Sequence, residues 1–263
     1  MIGILDSGMG GLTVASALKS LPAGYDMIYF GDTAHAPYGG RSPEKIVQCA
    51  DRALQFLVQQ GVTLVVVACS TISSLAGDHF HRNGSLPVVD AVDSTVSAAV
   101  AAAGPAAKIG VMGTLGTVMS LAHERAVKKS LPLATVYNAA APLLVPMIEA
   151  GWLKRPETTM AVKKYLHPLK TRQIDALILG CNHYAVIQKI IQRKIGKRVH
   201  LVDSVSCLTH GVRQYLATHE DLDRELPRNG FCRYFFSDLT AEMERTAKRV
   251  FHCSGPLEKA LLA

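Results

Sequence analysis

The 263-residue sequence contains no apolar run long enough to cross a bilayer. Its Ala-rich stretch at 96–104 is bounded by Asp93 and Pro105, and we therefore expect no membrane span. The N-terminal residues MIGILDSG carry no basic leader and predict a first β-strand instead of a signal peptide. These two absences predict a cytoplasmic location.

Charge is also scarce, since charged residues make up only 19% of the chain and the formal net charge is +7. The basic residues are dispersed, and the densest cluster, RKIGKR at 193–198, has no interleaved aromatic side chains. This pattern indicates a solvated surface, and we expect no nucleic acid as a partner. The positive balance is also compatible with a basic cleft that attracts an anionic small molecule.

The usual motifs of cofactor sites are missing. The turn DSGMGGL at 6–12 has the spacing GxGG instead of GxGxxG, and no GxxxxGK[ST] phosphate loop is present. The six cysteines form no CxxC pair and show no zinc-like spacing. We therefore expect no metal and no cofactor, and we expect reduced thiols because no secretion signal is present.

Apolar residues are abundant, at 49% of the chain, and they occur in short runs that alternate with helical patterns. The run at 2–6 is followed by apolar residues at helical spacing, at Leu12, Val14, Ala15 and Leu18. Continuous Val, Ile and Leu runs without alternation predict strands buried on both faces, as in a parallel sheet. The predicted fold class is α/β with mostly parallel sheets.

Three pairs of segments repeat in the same order at a separation of about 110 residues. The first strand and its turn recur at 108–122, VVVACST recurs as LILGCNH, and AVDSTV recurs as LVDSVS, which pairs Asp93 with Asp203. The repeat predicts two similar α/β domains related by pseudo-twofold symmetry, with a cleft between them. The first domain is predicted to be discontinuous (1–95 and 206–263), and the second is predicted at 96–205.

Cys69 and Cys181 occupy equivalent positions of this repeat, each at the end of an apolar strand. Ligands of α/β proteins bind beyond the carboxyl ends of strands, so we expect the two thiols to face one cleft from opposite sides. Each thiol precedes a predicted helix, whose free N–H groups stabilise a thiolate. His183 lies two residues from Cys181, which allows a Cys–His relay. The remaining cysteines are predicted to be structural: Cys49, Cys207, Cys232 and Cys253.

Two further segments are candidate parts of the site. The turn at 6–12 is either a simple strand-to-helix connection or a carboxylate site with Asp6 and Ser7 in its wall. The loop at 31–42 is either a connector or a functional loop that contributes the Tyr38 hydroxyl.

Seven motifs, spread over nearly the whole chain, carry a likeness to a known family: GILDSGMGGLTV, YFGDTAHAPYG, VVACSTIS, IGVMGTLGTVMS, APLLVPMIEAG, LILGCNHY and LVDS. Together they resemble the cofactor-independent glutamate racemases of the aspartate/glutamate racemase superfamily. The resemblance implies two α/β domains with the active site between them. It also implies that one cysteine removes the Cα proton of glutamate while the other protonates the opposite face. A homodimer and a supply of D-glutamate for peptidoglycan in a bacterial cytoplasm are further implications.

The resemblance implies roles for individual residues as well. Cys69 and Cys181 would be the catalytic pair. Asp6 would assist Cys69, whereas Glu149 and His183 would stand near Cys181. The substrate-binding set implied by the family comprises Asp6, Ser7, Pro37, Tyr38, Gly39, Ser70, Thr71, Thr114, Thr117, Asn182 and His183.

This chain departs from the family pattern on both walls of the predicted cleft. Ser70 stands where the family usually has Asn, and Asn182 stands where it usually has Thr. Ala185 replaces a usual Pro. We hypothesise that the amide missing from one wall is replaced by the amide on the other. Substrate identity stays open at this point: the alternatives are a racemase for aspartate or another amino acid, and a non-catalytic small-molecule-binding relative.

Overall fold

The computed structural model describes residues 1–83 and 86–260. The ends of the predicted first domain, 261–263, and the short segment 84–85 lie outside the described residues. The chain begins with alternating strands and helices: β1 (Ile2–Asp6), α1 (Leu12–Lys19), β2 (Met27–Gly31), α2 (Pro43–Gln59), β3 (Leu64–Val67), α3 (Ser70–Asn83), β4 (Val88–Asp90) and α4 (Ala91–Ala102).

The alternation continues through the middle of the chain, with β5 (Lys108–Gly113), α5 (Leu115–Met119), α6 (Ala122–Ser130), β6 (Thr135–Ala140), α7 (Leu144–Glu149), α8 (Pro156–Thr171), β7 (Ala176–Gly180), α9 (Gln188–Ile195) and β8 (His200–Asp203). The C-terminal elements are α10 (Ser204–Thr218), α11 (Glu220–Glu225), β9 (Cys232–Phe236), α12 (Ala241–Arg249) and β10 (Leu257–Lys259). Short 3-10 turns occur at Thr33–His35, Tyr38–Gly40 and Asn182–Ile187.

The strands form two sheets in which every described pairing is parallel, which confirms the predicted α/β class. The first sheet has the order β10-β9-β2-β1-β3-β4, and the second has the order β6-β5-β7-β8. The order β2-β1-β3-β4 therefore matches the second sheet strand for strand, as a duplicated unit requires. The C-terminal strands β9 and β10 extend the first sheet beyond β2.

The sheet register corrects one pairing of the sequence repeat. Val67 lies opposite Asp90 in the first sheet, and Leu179 lies opposite Asp203 in the second. Asp90 and Asp203 also occupy the same local position, since each ends its strand and caps the following helix by accepting two backbone N–H groups. The equivalent of Asp203 is therefore Asp90, and the pairing with Asp93 was wrong because the stretch VVDAVDS at 88–94 offers two aspartates in similar context.

Burial explains why the strand sequences are continuously apolar. All residues of β1, β3 and β7 are buried, because helices cover both faces of each sheet. The apolar residues predicted to face the core on α1 (Leu12, Val14, Ala15 and Leu18) are all buried. Burial of each Val or Leu side chain in this set stabilises the fold by roughly 1.5–3 kcal/mol.

Residues that favour helix ends mark where α2 begins and where it stops. Ser42 begins α2 by accepting the backbone N–H of Lys45 at 3.3 Å, and Pro43 occupies the first helical position. Gly61, just beyond the end of α2, adopts φ +78°, a backbone conformation that favours glycine. Among residues 1–83 and 86–260, no helix combines the length and the hydropathy needed to cross a bilayer.

The strand ends bring residues of the repeat to one edge of each sheet. In the first sheet, β1 ends at Asp6 beside β3, so Ser7 and Cys69 follow at the same edge. In the second sheet, Gly113 of β5 pairs with Gly180 of β7, so Thr114 and Cys181 follow there. These carboxyl edges are where α/β proteins bind their ligands.

One buried histidine generates a stability prediction. His123 is 1% exposed, and within the described part of the chain neither of its ring nitrogens has a hydrogen-bond partner. Burial lowers its pKa to about 4. Below pH ~6.5 this imidazole is protonated in the unfolded chain but stays neutral in the folded protein. Acid therefore favours unfolding, and stability is lost as the pH falls toward 4.

We expect the His123→Leu variant to lose less stability than the wild type on acidification. Between pH 7 and pH 5 the wild type should lose about 2 kcal/mol more of its unfolding free energy than the variant. The reason is that unfolding of the wild type allows one buried neutral imidazole to bind a proton. Urea unfolding of both proteins at the two pH values measures it. An identical pH dependence of the unfolding free energy in the two proteins would contradict the assignment.

Candidate active site

A cavity of about 460 Å³ lies between the carboxyl edges of the two sheets, and both Cys69 and Cys181 line it. Most of the other residues named from the sequence also line this cavity: Ser7, Pro37, Tyr38, Gly39, Ser70, Thr71, Thr114, Glu149, Asn182 and His183. Asp6 and Thr117 are not among its lining residues, and they lie behind the wall. The structure therefore brings together nearly the whole predicted set.

Asp6 is buried behind the first wall, with 1% of its surface exposed, and its carboxylate is hydrogen-bonded on both oxygens. Oδ2 accepts the N–H groups of Gly8 and Gly11 at 3.2 and 3.1 Å and the hydroxyl of Tyr29 at 3.1 Å. Oδ1 accepts the side-chain amide of Asn182 at 2.8 Å. These donors offset the cost of burying the charge and fold the turn at 6–12 around it.

Cys69 lies between a hydroxyl and this carboxylate. Its Sγ is 3.1 Å from the Ser7 hydroxyl. Burial, followed by the negative charge of Asp6, raises the pKa of Cys69 to about 12, although hydrogen bonds from Ser7 and from the backbone of Ile72 act in the opposite direction. A backbone N–H at the start of α3 does favour the thiolate, as expected, but burial and the carboxylate outweigh it, so the pKa of this thiol is raised. Cys69 is a protonated thiol at neutral pH.

Cys181 lies in a different environment, beside an imidazole. It leads into the 3-10 turn Asn182–Ile187 instead of an α-helix. His183 Nδ1 is 3.7 Å from Cys181 Sγ, and His183 Nε2 is 2.9 Å from Glu149 Oε1. Burial alone would lower the pKa of His183, but the hydrogen bonds with Cys181 and Glu149 outweigh it and raise the pKa to about 10. His183 is therefore an imidazolium at neutral pH, placed to exchange a proton with Cys181.

The amide of Asn182 is already engaged within the protein. Its Nδ2 donates to Asp6 Oδ1 at 2.8 Å and to the carbonyl oxygen of Ala68 at 2.9 Å. Its Oδ1 lies 3.1 Å from His183 Nδ1. Both N–H bonds are used, so this amide has no donor left with which to replace the one absent at position 70.

Three threonine hydroxyls join the two halves at the side of the cavity. Thr71 Oγ1 lies 2.9 Å from Thr114 Oγ1 and 3.3 Å from Thr117 Oγ1, and the last two lie 3.1 Å apart. Thr114 also caps α5 by accepting the N–H of Thr117. Thr117 therefore positions the two hydroxyls that line the cavity instead of lining it.

The loop at 31–42 is organised by a buried carboxylate that the sequence analysis missed. Asp32 accepts the Tyr38 hydroxyl at 2.5 Å and the Ser237 hydroxyl at 2.6 Å, and it lies 2.9 Å from His35 Nδ1. The hydroxyl of Tyr38 is thus directed to Asp32, and Tyr38 contributes to the cavity wall through its ring. An aspartate directly after the buried strand β2 was the available signal.

The charge of the wall differs from the expected basic cleft. No lysine or arginine is found among the described residues that line the cavity. Ser70 also lines the cavity, and its buried hydroxyl has no hydrogen-bond partner in the described structure. Hydroxyls and backbone N–H groups therefore replace lysine and arginine as the groups that can hold a carboxylate, and the imidazolium of His183 is a cationic group of the wall.

Gly8, from the glycine turn at 6–12, also lines the cavity. Other lining residues were not singled out from the sequence: Thr33, Ala36, Gly40, Leu115, Ala141, Pro142, Val145, Pro146 and Met243. Several are small or apolar and surround α7 and the cleft entrance, so they exclude water without offering polar chemistry. Met243 comes from α12, which is distant in sequence, and no local pattern could have placed it there.

Comparison with known proteins places this geometry in a family. The Asp/Glu/hydantoin racemase family model matches residues 12–211. The glutamate racemase of Geobacter metallireducens is 39% identical over 94% of this chain and 91% of its own length, and that of Syntrophus aciditrophicus is 34% identical over 97% and 94%. The crystal structure of the Francisella tularensis glutamate racemase in complex with D-glutamate superposes with a TM-score of 0.90 at 30% identity, covering 100% of this chain and 97% of that one.

The contact of Gly10 with the second half yields a prediction. A Cβ atom at Gly10 would lie 2.2 Å from both Asn182 Oδ1 and His183 Nδ1. We expect Gly10→Ala to lower the free energy of unfolding by ~1–3 kcal/mol, because buried groups of both halves must move apart. Urea unfolding measures the change.

Gly104→Ala is the matched control, since nothing lies within 4 Å of a Cβ there. It should change the free energy of unfolding by less than ~0.5 kcal/mol. Equal effects of the two substitutions would show that the halves do not meet at Gly10.

Proposed function

Because this chain belongs to the Asp/Glu/hydantoin racemase family and is an amino-acid racemase, we propose that it interconverts L- and D-glutamate with Cys69 and Cys181 as its two acid–base groups. The observation that carries this proposal is that both thiols line one cavity, each with a separate polar partner system. Glutamate is favoured as the substrate by the relatives of similar length and by the D-glutamate complex of the Francisella protein.

The proposed reaction breaks two bonds, the Cα–H bond of the substrate and the S–H bond of one cysteine, and forms an S–H bond on the other cysteine and a new Cα–H bond. A cysteine thiolate takes the Cα proton from one face of the amino acid, and the other cysteine gives the proton of its thiol to the opposite face. The configuration at Cα is thereby inverted, and the two cysteines exchange protonation states. The reverse reaction uses the same groups in exchanged roles, as microscopic reversibility requires.

The surroundings of the two thiols suit unequal starting states. Cys69, beside the Asp6 carboxylate, holds its proton at neutral pH and is equipped to act as the acid. Cys181 lies beside His183, whose other ring nitrogen is held by Glu149, and this pair is placed to accept and return a proton. Asp6 and His183 are thus positioning and proton-holding groups for the thiols on opposite walls.

The carbanion-like charge at Cα needs stabilisation during proton transfer. The hydroxyls of Ser7, Thr71 and Thr114 line the cavity, and the N–H groups at the start of α3 lie directly after Cys69. Preorganised donors in a cavity with apolar walls stabilise developing negative charge more strongly than water does. These groups would hold the carboxylates of the substrate as well as the charge that develops on its α-carboxylate.

We further propose that the product D-glutamate serves peptidoglycan synthesis in a bacterial cytoplasm, and that the protein is a homodimer. The glutamate racemase relatives support the first of these proposals. The homodimer stays a prediction from the family resemblance.

Replacing either thiol should nearly abolish racemisation. We expect Cys69→Ala and Cys181→Ala each to lower kcat by at least ~10³-fold, because inversion needs an acid and a base on opposite faces. Circular dichroism of L- and D-glutamate with purified enzyme measures the rates. Cys207→Ala, outside the cavity, is the control and should retain activity. Near-native turnover by either active-site variant would refute the two-base assignment.

Deuterium exchange at Cα distinguishes the substrate alternatives. Wild-type enzyme incubated in D₂O should incorporate deuterium at Cα of glutamate, and NMR detects the exchange. Faster exchange into aspartate or a neutral amino acid would replace glutamate as the substrate. Binding of glutamate without any exchange would identify a non-catalytic relative.

The unpartnered hydroxyl of Ser70 gives a prediction on substrate binding. We expect Ser70→Ala to raise KM for glutamate by about 10-fold, since a hydrogen bond to a charged group contributes ~1.5–3 kcal/mol. Its thermal stability should be unchanged, because no protein partner is lost. Ser74→Ala, another buried serine of α3 without a described partner but outside the cavity, is the matched control. Equal KM values for the two variants would exclude Ser70 from binding.

A further inference from the structure

A buried amide side chain also connects the two halves at the cavity. Asn182 belongs to the second half and is 3% exposed. Both acceptors of its Nδ2, Asp6 Oδ1 at 2.8 Å and the carbonyl oxygen of Ala68 at 2.9 Å, belong to the first half. The amide therefore makes two hydrogen bonds across the cleft with no solvent competing for them.

The chemistry of these partners determines which way the amide points. A carboxylate oxygen and a carbonyl oxygen both accept hydrogen bonds, so the NH₂ group must face them and the oxygen must face the other way. Asn182 Oδ1, 3.1 Å from His183 Nδ1, can only accept. His183 Nδ1 must therefore carry a hydrogen, which fixes the ring for its contact with Cys181.

A continuous series of contacts results, and we call Asp6, Asn182 and His183 the polar bridge. At one end of the bridge, Asp6 acts electrostatically on Cys69. At the other end, His183 contacts Cys181 at 3.7 Å. The bridge thus joins the group that holds the proton on one thiol to the group that serves the other.

The first half is shaped to receive the bridge. Gly10 lies against both Asn182 and His183, where a Cβ atom would be only 2.2 Å from each. Phe251 packs edge-on against the His183 ring, with the centroids 5.4 Å apart. The imidazole is therefore held by packing and by two acceptors, Asn182 Oδ1 at Nδ1 and Glu149 Oε1 at Nε2.

We propose that Asn182 is a positioning residue that holds the two halves in register and fixes the orientation and protonation of the His183 ring beside Cys181. The inference rests on the proposed racemisation, which requires the two thiols to stay on opposite faces of one carbon. Asn182 itself gives no hydrogen bond to the substrate, because both of its N–H bonds are engaged across the cleft.

The charged and titratable groups around His183 determine how its pKa should respond when the Asn182 amide is removed. They are Cys181 on the same segment, Glu149 from α7, and Asp6 through the amide. Removing the amide takes an acceptor from Nδ1 and leaves Glu149 as the remaining anchor. The ring should then give up a proton at lower pH and lose its fixed orientation.

The test uses the full-length wild type together with Asn182→Ala and Asn182→Asp, which keeps the shape but removes the NH₂ group. We expect kcat to fall ~10–100-fold in both directions, as for small misplacements of reacting groups, with KM changed less than threefold. The alkaline limb of the kcat profile should move to lower pH in Asn182→Ala, which removes the acceptor of Nδ1. It should not move to lower pH in Asn182→Asp, because a carboxylate oxygen then faces Nδ1. Asn138→Ala is the matched control, because Asn138 makes an amide-to-carboxylate bond with Glu124 at 3.0 Å away from the cavity.

A second measurement does not depend on activity, and its wild-type part does not depend on a variant that folds. In ¹⁵N NMR of the wild type at pH 7, His183 should show a protonated Nδ1, and in Asn182→Ala this nitrogen should titrate at lower pH. An unprotonated Nδ1 in the wild type, or variants with wild-type kcat and pH profile, would overturn the proposal. Wild-type protein that shows the protonated Nδ1 but does not racemise glutamate would instead refute the proposed function and leave the bridge intact.

Discussion

The carboxylate of Asp6 is the buried charge on which the arrangement of the cleft depends. It lies at the end of β1 in a region without solvent, so it must be matched by donors or the fold would carry a large desolvation cost. Three of its donors come from its own half and one, Asn182, comes from the other. Satisfying one carboxylate thus shapes the glycine turn, orients Tyr29 and docks the second half against the first.

The same carboxylate makes the two halves chemically unequal. The backbone of the repeat is nearly symmetric, with β2-β1-β3-β4 corresponding to β6-β5-β7-β8 and a cysteine following the third strand of each unit. The side chains are not symmetric, because Cys69 has Asp6 and Ser7 nearby whereas Cys181 has His183 and Glu149. A duplicated scaffold places the thiols on opposite walls, and unlike neighbours give one of them a firmly held proton while the other contacts an imidazolium.

Much of the fold could be predicted from local patterns. Continuous apolar runs identified the buried parallel strands, and Ser42 with Pro43 marked the start of α2. The strand β10 escaped notice because LEK has no apolar pattern and becomes a strand only by pairing with β9. The repeat itself was visible, but its register was not, since Asp90 and Asp93 look alike until strand pairing shows which of them faces Val67.

For the site, the sequence by itself determined which residues follow the strand ends, because hydrophobic periodicity and the α/β topology both follow from the order of residues along the chain. Only the tertiary structure decided what each polar group does there. Asn182 was expected to bind the substrate, and it does line the cavity, yet its hydrogens go to Asp6 and Ala68. Tyr38 was expected to offer a hydroxyl that Asp32 accepts instead. Hydrogen-bond partners and proton affinities depend on groups brought close from distant parts of the chain and on the water that their packing excludes, and neither is encoded in any local stretch.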